Sequence, residues 1–375
     1  MTELFVIESL LEEADVCNFA HDIRSLEKSV ANGEKIALYA PRNYGKTSII
    51  KNIVANHFQK KHKKSFVFFA DLMEVRSMEA LEKRLSRYLG ESLSHSFSVR
   101  NLLEQIKSTI AALRPEIQMD PVSGAPTIQF GFHSEKPRQT LQQIFKTIQK
   151  LTQTVPSLLI LDEFQDMALV EGAQAEFRAF FQGCGKTPII VSGSKRHLLS
   201  QLLAKPDAPL AFWGKDLELK PIDYAIYQAY MNQRFKPHRI SINLENATII
   251  QDLMFRVPEA INQLCLQLID SHPGKAVTAE NIYTSLQTLV EQKQSRYGTY
   301  CGTFSEIEER ILAAIAQLKN VASPQGKQFL KIVGTSSRTS GLAFKKFMDK
   351  GVIEKDAAGY RISDPIFHYF LQRFR

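Results

Sequence analysis

Ala40-Pro-Arg-Asn-Tyr-Gly-Lys-Thr-Ser48 is the stretch of sequence that decides the fold. It follows an apolar run at Lys35–Tyr39 and precedes a stretch of helical character at Ile49–Phe58. A strand, a tight loop and a helix in this order are the context that a phosphate-binding P-loop, G-x-x-x-x-G-K-[ST], requires. Gly45–Thr47 fit this pattern, whereas Ala40 replaces the first glycine and is expected to restrict the turn, since glycine adopts positive φ most readily. The stretch therefore predicts a site for nucleotide phosphates.

The chemistry expected of this loop comes from its backbone and from two of its side chains. Backbone N–H groups at the start of a helix point inward and stabilise an anion. The Lys46 side chain would reach the β- and γ-phosphates, and the Thr47 hydroxyl would hold Mg²⁺. The loop residues that we predict to bind the nucleotide are Pro41, Arg42, Asn43, Tyr44, Gly45, Lys46, Thr47 and Ser48.

A second anchor is Leu158–Gln165, where four aliphatic residues run into Asp162 and Glu163. This pattern predicts a buried parallel strand with acids at its carboxyl end, the edge at which open α/β sheets bind ligands. Asp162 would hold the Mg²⁺ shell through water, and Glu163 would polarise the attacking water as a general base. The alternative is that the two acids merely end a strand.

Three more apolar runs, Phe66–Asp71, Pro188–Ser194 and Asp216–Pro221, predict further strands of the same sheet. The run at Pro188–Ser194 ends in hydroxyls, and Ser192 and Ser194 could sense the γ-phosphate. Ser194 is therefore added to the predicted nucleotide-binding residues. A simple Ser-Gly-Ser turn is the alternative for these two serines.

Composition limits the class of protein. A chain of 375 residues with 44% hydrophobic and 23% charged residues is typical of a globular protein with two or three domains. The net charge of +8 is compatible with a nucleic-acid or acidic partner. Four widely spaced cysteines predict neither a zinc site nor a disulfide framework, which favours reduced thiols and a cytoplasmic location. We expect no signal peptide and no contact with a membrane.

The remaining elements divide the chain into three parts. Residues 60–64 are a basic run, most simply a solvated turn, with a phosphate-contact patch as the alternative. Helices are predicted at about 78–92, 98–113 and 138–153, with a proline-rich hairpin or loop at 115–137 between them. Beyond residue 223 the helical pattern predicts helices at 223–235, 244–255, 258–271 and 278–294, a linker at 295–302, and helices at 305–319, 325–333 and 337–350 before a hairpin at 352–363. The predicted domains are an α/β core at 1–221, an α-helical lid at 222–300 and a winged helix at 301–375.

The motifs resemble those of the archaeal-type ATPase family, a branch of the AAA+ and STAND-like P-loop ATPases. The segments that carry the resemblance are Pro41–Ser48, Leu161–Gln165, Val191–Ser194, Leu210–Pro221 and Tyr360–Phe367. The resemblance implies a P-loop parallel sheet with helices on both faces, a helical lid and a C-terminal winged helix. It further implies a central P-loop strand with the Walker-B strand two positions away.

The same resemblance implies ATP and Mg²⁺ as cofactors. Lys46, Asp162 and Glu163 would be the catalytic residues, and Thr47 and Asp162 the metal ligands.

The sequence departs from the family at two places. Lys215 stands where the family usually has arginine, and relatives tend to have glycines in place of the residues before Pro258 and an arginine after it, where this chain has Glu259. Lys215 and Arg256 are therefore either surface ion-pair partners or trans-acting fingers that reach the nucleotide of a neighbouring subunit. The sequence leaves this choice open.

Two functions are compatible with these features. Residues 303–375 contain 12 Lys and Arg against 7 Asp and Glu, a net +5. Arg338, Lys345 and Lys346 are predicted to lie on or near the recognition-type helix, which suits contact with a DNA backbone. The first function is a slow Mg²⁺-dependent ATPase whose nucleotide state controls assembly or remodelling on DNA. The alternative is a nucleotide-controlled switch that acts on a protein partner, or through self-assembly, without binding DNA.

Overall fold

The computed structural model describes residues 5–17, 19–96, 115–119, 126–130, 137–194, 196–203, 206, 208–211, 213–356 and 358–375. The chain divides into two compact units. One unit is Leu10–Lys220, and the other combines Met1–Ser9 with Pro221–Arg375. Within the described ranges, every helix is too short or too polar to traverse a lipid bilayer.

The unit Leu10–Lys220 is built on a five-stranded parallel sheet with the strand order β2-β5-β6-β1-β7. Its strands are β1 Lys35–Tyr39, β2 Phe66–Asp71, β5 Ser157–Asp162, β6 Ile189–Gly193 and β7 Lys215–Glu218. The Walker-B strand β5 lies two positions from the P-loop strand β1, as predicted. The predicted central position of β1 is wrong, because β6 occupies the centre and β7 is the single described strand beyond β1.

Apolar burial on both faces explains the continuous aliphatic runs of the strands. Ile36, Ala37 and Leu38 are fully buried although successive side chains point to opposite faces, and the same is true of residues 158–161. Because all five strands are parallel, their carboxyl ends meet at one edge of the sheet. Asp71 pairs with Asp162 in register at this edge.

Helices and a hairpin complete this unit. The helices are α1 Ala20–Ala31, α2 Lys46–Ser48, a π-helical segment Ile49–Val54, α3 Ala55–Lys61, α4 Met78–Ser96, α5 Pro137–Thr154, α6 Ala173–Gly183 and α7 Arg196–Leu203, with 3₁₀ turns at Glu13–Asp15 and Phe164–Leu169. The predicted hairpin within 115–137 is confirmed as β3 Pro115–Met119 paired with β4 Pro126–Phe130. Gly90 allows strand β4 of this hairpin to approach α4 closely, because a Cβ at Gly90 would lie 2.1 Å from the Ile128 carbonyl oxygen. The predicted helix at 98–113 lies outside the described residues.

The second unit contains lid helices and a winged helix. Its elements are α8 Tyr224–Phe235, a 3₁₀ turn Lys236–His238, α9 Leu244–Leu253, α10 Pro258–Ser271, α11 Ala279–Gln292, α12 Gln294–Cys301, α13 Glu306–Leu318, α14 Lys327–Val333, α15 Ser337–Lys350, β8 Ile353–Asp356, β9 Gly359–Ile362 and α16 Pro365–Phe374. Polar side chains cap several of these helices, as the Thr278–Asn281 and Ser305–Glu308 capping boxes show. The N-terminal segment joins the unit through Phe5, whose ring packs on Tyr230.

The prediction of a linker at 295–302 is wrong, since residues 294–301 form helix α12. Tyr297 and Cys301, four residues apart, are both buried and give this short helix an apolar face. The Tyr297 hydroxyl donates to Asp364 Oδ2 at 2.8 Å, and its ring packs on Phe367. Tertiary packing thus stabilises a helix whose polar residues and glycine do not predict one.

Candidate active site

The P-loop turns sharply after β1 at two positions with positive φ. These are Asn43 (φ 64°) and Gly45 (φ 78°), and asparagine and glycine are the residues that adopt this conformation most readily. Ala40 keeps a negative φ and is buried, with its N–H donating to the Gly193 carbonyl at 3.4 Å. The expected restriction by Ala40 is therefore absent, because the turn needs no glycine at that position.

Lys46 lies buried between the two acids of the Walker-B strand. Its side chain is 6% exposed, and its Nζ lies 3.2 Å from Glu163 Oε1 and 3.9 Å from Asp162 Oδ1. The fold thus brings together residues that are 117 positions apart in the sequence. A buried ammonium is stabilised only by such paired charges.

Asp162 is held by hydroxyls from two neighbouring elements. Thr47 Oγ1 donates to Asp162 Oδ2 at 2.5 Å, and the Ser192 hydroxyl donates to Asp162 Oδ1. Ser192 is fully buried and orients Asp162, and its role in sensing the γ-phosphate stays a prediction. A hydroxyl and a carboxylate side by side are hard oxygen ligands that suit Mg²⁺ together with nucleotide phosphates.

Glu163 has the left-handed backbone conformation (φ 51°) at the turn after β5. Its Oε2 accepts hydrogen bonds from Gln165 Nε2 at 2.5 Å and from Ser194 Oγ at 2.9 Å, and its Oε1 faces Lys46. Burial raises the pKa of Glu163, but the Lys46 charge and the hydrogen bonds from Gln165, Ser194 and Lys46 outweigh it and lower the pKa below the usual value. The carboxyl group is therefore ionised near neutral pH, as a general base requires.

The other predicted loop residues differ in their surroundings. Arg42 and Asn43 are exposed at the tip, Pro41 is half-buried, and Tyr44 is buried. The Ser48 hydroxyl accepts the Leu11 N–H at 3.0 Å, which fixes the preceding segment against the P-loop helix.

Asn52 adds a second bond to this contact, donating to the Leu11 carbonyl at 3.0 Å. Ser48 thus has a structural contact in addition to its predicted contact with nucleotide.

Two residues at this edge received no role from the sequence. Asp71 lies beside Asp162, and burial raises the pKa of Asp71, with further increases from the Asp162 and Glu163 charges, although the Met73 N–H and Arg84 oppose them. Gln165 donates to Glu163 and is 1% exposed. Their only sequence signals are that Asp71 ends a strand and that Gln165 follows the paired acids.

Lys215 and Arg256, at the two places where the sequence departs from the family motifs, each contact residues of their own unit. Lys215 Nζ lies 3.7 Å from Glu34 Oε2, and its side chain is 58% exposed, as in an ordinary surface ion pair. In the second unit, the Arg256 guanidinium donates to the Ile222 carbonyl and lies 4.2 Å from the centre of the Tyr224 ring. Phe255 and Arg256 both have positive φ, 52° and 58°, a conformation that glycine adopts more readily than either residue.

The basic residues of the winged helix are not equivalent. Arg338 and Lys345 are exposed on α15, whereas Lys346 Nζ binds both carboxylate oxygens of Glu308, at 2.7 and 2.8 Å. All three residues lie on α15, as predicted, and a contact of Lys346 with DNA would compete with its ion pair to Glu308. Leu342, on the same exposed face as Arg338 and Lys345, is 60% exposed.

The basic run at residues 60–64 follows the prediction of a solvated turn. Lys60 and Lys61 end α3 and are exposed, as are Lys63 and Lys64. Cations at the end of a helix stabilise its dipole, which accounts for part of this run.

Comparisons with known proteins support the fold. A family model described as a probable winged helix domain matches residues 295–373. A solved Walker-type ATPase of Pyrococcus abyssi is similar to the chain with a TM-score of 0.64 and 16% identity, covering 98% of this chain and 99% of that one. No curated protein matches the chain.

Two solved proteins of Aeropyrum pernix are similar more distantly. ORC1, in complex with DNA, has a TM-score of 0.50 and 10% identity, covering 96% of this chain and 93% of that one. ORC2, with ADPNP and ADP, has a TM-score of 0.50 and 12% identity, covering 94% and 93%. The chain thus has the fold of this Walker-type ATPase and a C-terminal winged helix, which confirms the resemblance at the level of fold.

Proposed function

We propose that this chain binds Mg²⁺–ATP at Gly45–Thr47 and hydrolyses it slowly, and that its nucleotide state controls assembly or remodelling on DNA. The observation that carries the proposal is the convergence of Lys46 and Thr47 with Asp162 and Glu163 at the carboxyl edge of the sheet. Phosphoryl transfer needs little beyond positioned phosphates, a metal and an oriented water, and these four side chains supply the protein's share.

Each of the four residues has a distinct role in this proposal. Lys46 binds the β- and γ-phosphates, together with the inward N–H groups of the loop. Thr47 and Asp162 would hold Mg²⁺, which when bound neutralises the charge of the phosphates. Glu163 accepts the proton of the water that attacks the γ-phosphorus, while the bond between that phosphorus and the ADP oxygen breaks.

Ser194 is the residue through which the γ-phosphate would be sensed. Its hydroxyl is partly exposed and already contacts Glu163, so a phosphate and the base would compete for the same donor.

Slow turnover is expected because the site must rearrange before it reacts. Lys46 contacts Glu163 and must move to the phosphates, and Glu163 has partners on both oxygens. Lys215 is paired with Glu34, which gives no support to a trans-acting finger at that position. Part of the binding free energy of ATP would therefore offset the cost of breaking the buried ion pair between Lys46 and Glu163.

The DNA part of the proposal rests on the winged helix. Arg338 and Lys345 are exposed on the recognition-type helix α15, and residues 303–375 carry a net +5. Such a helix can approach a DNA backbone, which attracts cations. The similar ORC1 protein is described in complex with DNA, which makes DNA a reasonable partner to test first.

A protein partner, or self-assembly, is the second candidate, and one observation favours it. The exposed face of α15 carries Leu342, 60% exposed, between Arg338 and Lys345, and Ile332 of α14 is 53% exposed. Large apolar side chains at such exposure suit an interface with protein better than contact with phosphates.

A cytoplasmic location remains part of the proposal. All four cysteines are buried thiols that form no disulfide with another described cysteine, which fits a reducing compartment. The limits of the three domains, 1–221, 222–300 and 301–375, also remain a proposal.

The test is ATP turnover measured with and without duplex DNA, alongside the mass of the protein in solution with ATP, with ADP and without nucleotide. We expect ATP binding that depends on Lys46, low basal turnover, and a change in turnover or mass when DNA is added. An unchanged mass and turnover with DNA, together with no DNA affinity at low salt, would leave the protein-partner switch as the function. Absence of ATP binding would overturn both.

A further inference from the structure

We infer that Gln165 is a positioning residue for the general base, and that residue 193 is glycine because Gln165 occupies the space a side chain would need. The inference rests on the proposed role of Glu163. It assigns a task in the reaction to two residues that lie outside the phosphate-binding loop and the metal ligands.

Glu163 depends on side-chain contacts for its orientation. Its positive φ places it at a turn between β5 and a 3₁₀ helix, where no regular backbone pattern fixes the side chain. Among the described residues, three groups contact the carboxylate: Lys46 at 3.2 Å, Ser194 at 2.9 Å and Gln165 at 2.5 Å. The Gln165 contact is the shortest of the three.

Only Gln165 can keep its contact throughout the reaction. Lys46 and Ser194 are the two residues proposed to move to the phosphates when ATP binds. Gln165 is 1% exposed, so its amide lies below the surface of the site and cannot exchange Glu163 for a phosphate. The N–H of Gln165 would therefore hold Oε2 in place while Oε1, released by Lys46, faces the attacking water.

The glycine at position 193 leaves the space that the Gln165 side chain occupies. A Cβ added there would lie 2.3 Å from Gln165 Oε1 and 3.1 Å from Leu199 Cδ2. Its φ is not positive, so the backbone itself would tolerate a side chain. Sterics with Gln165, and not backbone conformation, therefore explain the glycine.

Residues at the end of β6 and directly after it contact Asp162, Glu163 and Gln165. Ser192 donates to Asp162 and Ser194 donates to Glu163, while Gly193 between them makes room for Gln165. The last two residues of β6 and the residue that follows the strand thus contact the proposed metal ligand, the positioning residue and the base, respectively.

Stability alone does not explain a glutamine at position 165. Its Oε1 is buried and has no hydrogen-bond partner among the described residues. A buried acceptor without a partner is unfavourable, and an apolar side chain of the same volume would avoid this cost. A residue kept at such a cost is more readily explained by its contact with Glu163.

The first test is Gln165→Met, which preserves volume and removes the N–H donor. We expect kcat to fall about 10- to 100-fold, as for a misplaced catalytic group, with ATP affinity by calorimetry within about twofold of the parent. Gln251→Met is the matched control, because Gln251 is also 1% exposed and its amide donates to the backbone at Tyr224 and Ala247 within the lid. The control should lose stability without the selective loss of kcat.

Gly193→Ala tests the same contact from the other side, without removing the amide. We expect a similar fall in kcat, and the double variant Gln165→Met/Gly193→Ala should be no worse than the more impaired single variant. In the Glu163→Gln background, Gln165→Met should have no further effect. Parental kcat in both single variants, or additive losses in the double variant, would overturn the inference.

A readout independent of turnover is the side-chain amide of Gln165 in NMR spectra, assigned by its loss in Gln165→Met. A donor to a carboxylate should resonate downfield and exchange slowly, should lose this shift in Glu163→Ala, and should retain it when Mg²⁺–ATP is added to the parent. Loss of the shift with nucleotide would overturn the positioning role. Parental turnover by Glu163→Gln would instead show that the proposed base is wrong, so the two failures are distinguishable.

Discussion

Lys46 Nζ lies 3.2 Å from Glu163 Oε1 in a largely buried ion pair. The group proposed to bind the phosphates and the group proposed to activate water thus neutralise each other in this state. Under the proposed function, ATP would have to separate the pair before either group could act, because Lys46 cannot contact a phosphate and the base at once. Nucleotide binding would then itself release the base.

Glu163→Gln should retain bound ATP and lose turnover by at least about 100-fold, since the amide keeps the shape but accepts no proton. Its affinity for ATP should equal or exceed that of the parent, because Lys46 no longer has to leave a carboxylate. Calorimetry and phosphate release measure the two quantities. Turnover at the parental rate would mean that another group orients the water.

Lys46→Ala should lower ATP affinity below detection and also destabilise the protein. The substitution leaves Glu163 and Asp162 as neighbouring buried carboxylates without their cation, which should cost about 1–3 kcal/mol in the free energy of unfolding. Urea unfolding checks the second effect. Full ATP affinity in a folded variant would contradict the assignment of the loop.

The stability of the unit Leu10–Lys220 should depend on pH through His57. Its Nδ1 lies 2.5 Å from Glu27 and its Nε2 lies 3.1 Å from Glu13. The hydrogen bond with Glu27 raises the pKa of His57, burial opposes it, and Glu13 adds to the increase. A raised folded-state pKa stabilises the protein fully below the unfolded value, about 6.5, and this contribution is lost as the pH rises through the folded value.

The His57→Gln variant measures this contribution. Its melting temperature should fall further below that of the parent at pH 6 than at pH 9. An equal deficit of His57→Gln at both pH values would show that packing, and not charge, is lost.

DNA affinity, if present, should depend on Arg338 and Lys345 and not on Lys346. Each lost phosphate contact should reduce the slope of log K against log salt by about 0.9, so Arg338→Ala/Lys345→Ala should reduce it by about two. Lys346→Ala is the control, since its ammonium is bound to Glu308. Fluorescence anisotropy of a labelled duplex across a salt series measures the slope.

An unchanged slope in the double variant would exclude this face as the DNA site. The exposed lysines at residues 60–64 would then be the next surface to test.

Local sequence patterns determined the parts of the site that depend on consecutive residues. Gly45–Thr47 after an apolar strand and Asp162–Glu163 after four aliphatic residues both have the predicted backbone context. The helices of the lid and the winged helix were also predictable, because their apolar periodicity and their capping residues are local features. A strand or a loop of this kind can be predicted from a few consecutive residues of the sequence.

Tertiary structure decided which of these groups contact each other. Three sets of contacts join residues that are 28 or more positions apart in the chain. Ser192 and Ser194 donate to Asp162 and Glu163, Lys346 binds Glu308, and Gln165 packs against Gly193. Helix α12 exists because Tyr297 packs on α16, which its own sequence does not reveal. Propensity and periodicity act between neighbours in the chain, whereas hydrogen bonds, ion pairs and steric fit act between neighbours in space, and only the folded arrangement specifies those.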